Sequence, residues 1–410
     1  MRIAGRNLST ASPGEFVFAS RRLAVSIVFC RKSHQDCLSP TPRTSGKRTA
    51  AKTSRACRKR RLQVAAKLQL VGVGCAQRKG SPDCETYPKV FAMAKERKAW
   101  LDLLIYLAVR LVVLVVQSVP VSWAYALGRM LAWLGWKLDH RHREVARQNL
   151  SLAFPEQFSS SELDELVRAV YRHFGEMLVE CLLLPRKLWP TTWRRYIELG
   201  NSAAPLARAL LSGRPCLLLT AHYGNWELAS YVLGLFGFRS WAVARPLDNP
   251  WLDRWVRRFR QRTGQKLLAK KGELDRLTEL LRRRAVVAML VDQDAGPRGL
   301  FVPFFGRWAS THKSPALLAL EHNALVVTVA VRRLGPMRYC VELGEILEPE
   351  NFQHLPQAHW LLTAALTASL EKLIRRDIRQ YFWLHRRWKH QPRQVPTSQP
   401  LRASPTLMAG

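Results

Sequence analysis

The chain has 410 residues, with 65 Lys and Arg against 30 Asp and Glu, so its formal net charge is +35. That length suits one large α/β domain with extras, or two domains. The charge excludes a cationic partner surface and calls for an anionic one, either nucleic acid or membrane, and the placement of the apolar residues has to decide between them.

Residues 1–92 hold 19 basic and 4 acidic residues, scattered Ser, Thr and Pro, and no sustained hydrophobic period. They read as a basic, disordered leader, or as an extension ahead of the true start. The run Arg55 to Arg61 is a solvated charge cluster or a nucleic-acid arm. Leu23 to Cys30 is too short for a signal peptide and is broken by Arg31 and Lys32. Five of the eight cysteines fall in this leader. Cys181, Cys216 and Cys340 are isolated in apolar surroundings and read as buried thiols in a reducing compartment.

From Trp100 to Trp136 the chain is strongly apolar. Leu103 to Val119 is about the length that crosses a thin bilayer, with Arg110 in its middle. The second stretch, Val121 to Trp136, carries Trp123, Tyr125, Trp133 and Trp136, residues suited to the headgroup level. Two arrangements fit: a spanning helix followed by an interfacial one, or a helical hairpin lying in one leaflet. A soluble protein with a buried hairpin is the competing reading. Basic residues flank the segment on both sides, which favours membrane over nucleic acid.

Beyond it, Ser160 is placed to cap a helix over Glu162 to Val170, continued by Tyr171 to Leu184, with His173 as a helix residue. Tyr196 to Gly200 reads as a short strand, and Ala203 to Leu211 as a helix stopped by Ser212-Gly213. The apolar run Cys216 to Leu219 is a strand that delivers His222 where the chain turns, and a helix follows from about Trp226. His222 and Glu227 are five apart, about 140° round a continuous helix. A bend at Gly224 and Asn225 would let the Glu227 carboxylate reach the ring and hold it in one tautomer, leaving the other nitrogen to act as a base. On its own the pair is equally a structural one.

Ser240 to Ala244 is the next strand and hands over Arg245, a fork for phosphate or carboxylate or simply a surface residue. Leu252 to Thr263 and Leu274 to Arg284 are basic helices; Arg254, Arg257, Arg258, Arg260, Arg262, Lys266, Lys270 and Lys271 line an acidic-ligand surface or a solvated face. Ala285 to Val291 is a fully apolar strand of the parallel-sheet kind, ending in Asp292 and the loop to Gly299. Phe301, Phe304 and Phe305 are core, or walls of an acyl groove. Strands at Ala324 to Arg332 and Arg338 to Leu343 and a helix from Trp360 to Gln380 complete the domain. Residues 391–410 are rich in Pro, Ser, Thr and Gln and read as a disordered tail. No Gly-x-Ser-x-Gly elbow, no zinc spacing and no phosphate-binding Gly-rich loop occurs, which argues against a serine acyl-enzyme, a metal mechanism and ATP use.

His222-Tyr-Gly-Asn-Trp-Glu227 resembles the His-x4-Asp/Glu motif of the bacterial lipid A biosynthesis (late) acyltransferases. The Asn149-Leu-x-x-Ala-Phe-Pro segment, the block from Asp292 to Gly306 and the Trp-x-His-x-Arg-Trp pattern around His385 resemble the same family, over roughly residues 95–390. The resemblance implies a mixed central α/β sheet flanked by helices, glycerolipid-acyltransferase-like, with an N-terminal membrane-anchoring segment. The divisions expected are a leader over 1–92, an anchor over 93–140, a catalytic domain over 141–390 and a tail over 391–410, with Met93 as a family-like start.

It further implies His222 and Glu227 as catalytic residues, with Asn225, Arg245, Asp292 and Arg298 as substrate contacts; Asp292 either orients the active site or contacts the acceptor, or is simply a cap at a strand end. Backbone N–H groups near Gly224 and Asn225 would serve as oxyanion donors. No cofactor or metal is implied; an acyl carrier protein conjugate or acyl-CoA serves as co-substrate. The partners implied are acyl carrier protein, an anionic glycolipid acceptor and membrane lipids, not nucleic acid. The place implied is the cytoplasmic face of the inner membrane. Acyl-CoA-dependent acylation of another glycolipid, such as a phosphatidylinositol mannoside, stands as the alternative within the enzyme class. A basic membrane or nucleic-acid binding protein without chemistry stands outside it.

Overall fold

The computed structural model describes residues 99–269 and 274–392; the leader, the tail, and Lys270 and Lys271 lie outside them. The described chain opens with four helices: α1 (Ala99–Ser118), α2 (Val121–Leu138), α3 (His140–Ala153) and α4 (Ser160–Lys187). Pro120 separates the first two, because its ring forbids continuation of α1 and suits the entry to α2. Helix α1 is long and apolar enough to cross a membrane, and it is the one helix among the described residues that is. It is consistent with a membrane anchor.

Helix α2 lies on α4 at very close range. A Cβ on Gly128 would stand 2.7 Å from Val179, and one on Gly175 would stand 2.5 Å from the Gly128 carbonyl oxygen. Helix α4 begins with a capping box in which Ser159, one residue earlier than expected, exchanges bonds with Glu162. Such a cap is worth about 1 kcal/mol.

The remaining elements alternate: β1 (Ile197–Glu198), α5 (Ala203–Leu211), β2 (Cys216–Thr220), α6 (Trp226–Leu235), β3 (Ser240–Ala244), α7 (Pro250–Gln261), β4 (Lys266–Ala269), α8 (Leu274–Arg282) and β5 (Val286–Leu290). Then follow β6 (Leu300–Phe304), β7 (Arg307–Thr311), α9 (Ser314–His322), β8 (Leu325–Gly335), β9 (Arg338–Leu347) and α10 (Ala358–Ile374). Seven strands form one mixed sheet in the order β1-β9-β8-β2-β5-β3-β4, and only the β8–β9 pair is antiparallel.

Strand β2 sits between β8 and β5, and Leu217 and Leu219 face one buried cluster while Cys216 and Leu218 face another. Both faces of the sheet are therefore covered, which is why this strand is apolar without alternation. Strand β5 is less buried than its composition suggests, with Leu290 left 37% exposed at its carboxyl end.

Two elements differ from expectation. The segment after Asp292 forms a separate antiparallel hairpin, β6–β7, whose Phe304 and Phe305 pack on Tyr381, Trp383 and Trp388. Helix α10 stops at Ile374 rather than Gln380. There the Asp377 carboxylate accepts from the Arg379 N–H and the Gln380 amide, starting a tight turn that sends the chain back toward β2.

Candidate active site

The register of the sheet builds the site. Thr220 of β2 lies beside Leu290 of β5 in a parallel pair, so residues two positions further on emerge side by side: His222 and Asp292. Asp292 Oδ1 lies 2.8 Å from His222 Nδ1, and Oδ2 accepts the His222 backbone N–H at 2.9 Å. Asp292 is 5% exposed.

Burial alone would raise the Asp292 pKa, but the charge and hydrogen bonds of His222 outweigh it and hold the carboxyl below its usual range. Burial likewise pushes His222 down, and the charge and hydrogen bond of Asp292 together with the charge of Glu227 carry it above 6.5. An ionised Asp292 only accepts, so Nδ1 carries the proton in the neutral ring and Nε2 keeps its lone pair. Nε2 makes no hydrogen bond within the described protein.

The turn after His222 is clamped from three sides. Gly224 has φ +60, and a Cβ there would stand 2.1 Å from the Val331 carbonyl oxygen, so glycine is required both for the conformation and for the close approach. Its N–H donates to Gln380 O at 3.1 Å, and the Asn225 N–H donates to Val331 O at 2.7 Å. His173 of α4 meets the Gly224 carbonyl through Nε2 at 3.2 Å. Burial pushes its pKa down to about 4, so the ring is neutral and donates. The Phe382 N–H closes the fourth contact, on His222 O at 2.9 Å.

Two expectations are corrected here. The N–H groups of Gly224 and Asn225 are already bonded and are not oxyanion donors. Asn225 itself is fully buried and caps α6, its Oδ1 accepting the Leu228 N–H at 3.1 Å.

The third correction concerns Glu227. The bend does not bring its carboxylate onto the ring; Asp292 makes that contact. Glu227 lies in the first turn of α6 and is gripped by Arg260 of α7, whose Nε donates at 2.9 Å and whose Nη2 takes the other oxygen. Glu227 acts on His222 through charge rather than through a hydrogen bond. Arg260 had no local signal to set it apart from its basic neighbours: its partner lies 33 residues away, and only the packing of α7 on α6 pairs them.

The ring of His222 is walled by aromatics. Trp226 meets it edge-on at 5.2 Å between centroids, Phe382 lies at 6.0 Å, and Phe174 of α4 packs on both. Phe304 and Phe305 are core instead, 1% and 3% exposed. Arg245 stands exposed at the end of β3 and reaches Asp248 at 3.3 Å, with no bond to the His222 cluster. Arg298 is exposed in the loop after β5. His385 accepts the Asp294 N–H at 2.8 Å, and His390 pairs with Asp294 at 2.7 Å, so the two histidines brace the loop that carries Asp292. Among the described residues no cluster of His, Cys, Asp or Glu is placed to hold a metal.

A histidine held by a buried carboxylate at neighbouring strand ends, with aromatic walls around it, is a site built to take up a proton, and an apolar helix lies on the same unit. The family model for bacterial lipid A biosynthesis acyltransferases matches residues 93–390, and the chain belongs to that family. It is 30% identical over 317 residues to the lipid A biosynthesis lauroyltransferase of Escherichia coli K12, covering 76% of this chain and 98% of that protein. To the lipid A biosynthesis palmitoleoyltransferase of the same strain it is 28% identical over 273 residues, 65% and 85% of the two chains. To a phosphatidylinositol mannoside acyltransferase of Mycobacterium tuberculosis it is 26% identical over 232 residues, 52% and 72% of the two chains.

Proposed function

We propose that the protein transfers a fatty acyl chain from an acyl carrier protein thioester to a hydroxyl of a lipid A precursor, at the cytoplasmic face of the inner membrane. The observation that carries the reading is the His222–Asp292 pair: one ring nitrogen is tied down by a carboxylate and the other is left with its lone pair free. In this reading residues 93–140 anchor the protein and residues 141–390 carry the chemistry.

His222 Nε2 takes the proton of the acceptor hydroxyl as its oxygen attacks the thioester carbonyl carbon. The imidazolium that results is stabilised by Asp292 through its bond and by Glu227 through its charge. The tetrahedral intermediate then expels the thiolate, which takes the proton back from His222, leaving an ester and a free thiol. The oxyanion is met by the N–H groups of Trp226 and Glu227, which open α6 and make no bond among the described residues; a helix start favours the negative charge. Arg245 and Arg298, exposed on loops at strand ends, bind the anionic headgroup. Trp226, Phe382 and Phe174, packed on one another beside His222, keep water from the thioester.

Lipid A precursor is favoured over a phosphatidylinositol mannoside because the match runs through 98% of the lauroyltransferase but 72% of the mannoside enzyme. The test is acyl transfer by the purified chain. Acyl carrier protein and coenzyme A thioesters are each offered with lipid A precursor and with phosphatidylinositol mannoside, and the products are weighed by mass spectrometry. One added acyl chain on the lipid A precursor, from the carrier protein thioester, is expected. Product only on the mannoside lipid, or only from coenzyme A, overturns the assignment.

A further inference from the structure

We propose that α1 lies in the plane of a single leaflet, with one face on the catalytic domain and the other among the acyl chains, and that it does not cross the bilayer. The helix is docked along its whole length. Its less exposed residues are Asp102, Tyr106, Val109, Val113, Val116 and Gln117, a stripe at helical spacing that runs from the first turn to the last. At the near end the Asn249 amide donates to Asp102 O at 2.8 Å, and Tyr106 packs on Trp251 at 6.0 Å. In the middle, the Arg110 guanidinium sits 5.9 Å from the Trp255 ring centre. At the far end the Gln117 amide donates to Leu182 O at 2.9 Å, and Arg186 donates to Gln117 O at 3.3 Å.

Twenty helical residues span about 30 Å, which is also about the thickness of a bilayer's hydrocarbon core. An upright α1 would therefore carry its docked partners, α7 and the end of α4, through every depth of that core. The exposed charges on those partners include Arg254, Arg258 and Arg186. Charged side chains on a lipid-facing surface at that depth are strongly disfavoured. Laid in the plane, the same helix keeps α7 at the headgroup level, and Arg110 is turned toward the domain and out of the acyl chains.

The opposite face matches a leaflet. Leu104, Leu107, Leu111 and Leu114 form a second stripe, each more than half exposed, and Trp123 and Leu138 extend it along α2 at 70%. The rim of this surface carries cations laid on indoles: Lys137 5.1 Å from Trp136, Arg254 5.6 Å from Trp251 and Arg262 5.1 Å from Trp189. Indole with a cation at its face suits the headgroup zone, and the excess of positive charge selects anionic phospholipid.

The test uses the full chain in inner-membrane vesicles of both orientations. Single cysteines are placed at either end of α1, Trp100→Cys and Ser118→Cys, with Ala99→Cys as a second choice at the first end. Arg386→Cys, on the surface of the catalytic domain, reports that domain's side. Each variant is checked for membrane retention and treated with a membrane-impermeant maleimide, against the parent chain with its own eight cysteines. No labelling of Trp100→Cys from the side opposite Arg386→Cys is expected. Labelling of Trp100→Cys or Ala99→Cys from that opposite side overturns the proposal and makes α1 a spanning helix. The readout involves neither acyl donor nor acceptor, so it stands or falls apart from the assigned reaction.

Discussion

Asp292 holds His222 twice, with one carboxylate oxygen on ring Nδ1 and the other on the backbone N–H of the same residue. The double hold fixes the ring against the chain that carries it. It follows from the pairing of β2 with β5, whose ends release the two residues at the same height. A histidine gripped in this way spends no freedom on finding its tautomer when substrate arrives, which is the condition for an efficient base.

Replacing His222 with Ala removes the proton acceptor and leaves the sheet untouched, since the ring is partly exposed and packs chiefly on Trp226 and Phe382. Turnover falls by on the order of 10²–10⁴. The variant folds but melts below the parent in a thermal scan, because the buried Asp292 carboxylate loses its ring partner. Residual turnover above a tenth of normal in a folded His222→Ala protein is incompatible with a general-base role.

The pH profile carries a signed expectation. In the proposed reaction His222 acts as the neutral ring, and the charges of Asp292 and Glu227 carry its pKa above the ordinary histidine value. The acid limb of kcat/KM therefore bends above pH 6.5. Asp292→Asn removes the larger of the two charge effects, so the limb moves to lower pH while kcat drops. A limb that stays in place in Asp292→Asn assigns the titration to another group.

Arg260 and Glu227 form a partly buried pair, and cutting Arg260 leaves an unmatched carboxylate beside the catalytic ring. Arg260→Ala therefore raises the His222 pKa further and frees Glu227 to move, lowering kcat by about tenfold or more, the size of a single misplaced catalytic group. Arg260→Lys keeps the charge but not the fork, and recovers part of the rate. Steady-state rates of both variants at several pH values check this. Equal loss in both places the requirement on fork geometry alone.

A second buried ion pair concerns stability rather than chemistry. Arg333 of β8 reaches Glu180 through Nε at 2.6 Å and Glu176 through Nη1 at 2.7 Å, and Tyr339 donates to Glu180 at 2.5 Å. Tyr125 of α2 donates to the same Glu180 carboxylate, so the network ties the apolar helices to the sheet. Glu180 is fully buried, and removing its cation leaves an uncompensated charge. Arg333→Ala is expected to cost about 3–5 kcal/mol. Denaturant unfolding in detergent measures it, and a loss below 1 kcal/mol shows that solvent reaches the pair.

Attachment to membranes rests on apolar burial rather than on charge. The protein stays with the membrane pellet after a 1 M salt wash, because salt screens headgroup attraction but not the immersion of leucines on α1 and α2. Release by salt alone shows a purely electrostatic attachment.

Local chemistry was enough for much of this chain. Alternation of apolar runs with small and glycine residues marked β2, β3, α5 and the strand that ends in Asp292, because the forces that shape a strand end or a helix stop lie within a few residues. The motif from His222 to Glu227 marked the family and the histidine proposed as base for the same reason: it is contiguous. What the sequence could not assign is which carboxylate touches the base. Glu227 is five residues from His222 and Asp292 is seventy, yet the nearer one is carried off by the first turn of α6 to meet Arg260, while the distant one arrives through strand pairing. That the N–H groups of Gly224 and Asn225 are not free was hidden likewise, since they are consumed by Gln380 and Val331, partners more than a hundred residues away. The lie of α1 belongs with these. Its composition permits crossing, and only its contacts with α7 and α4 along the full length reveal the face it keeps for the protein.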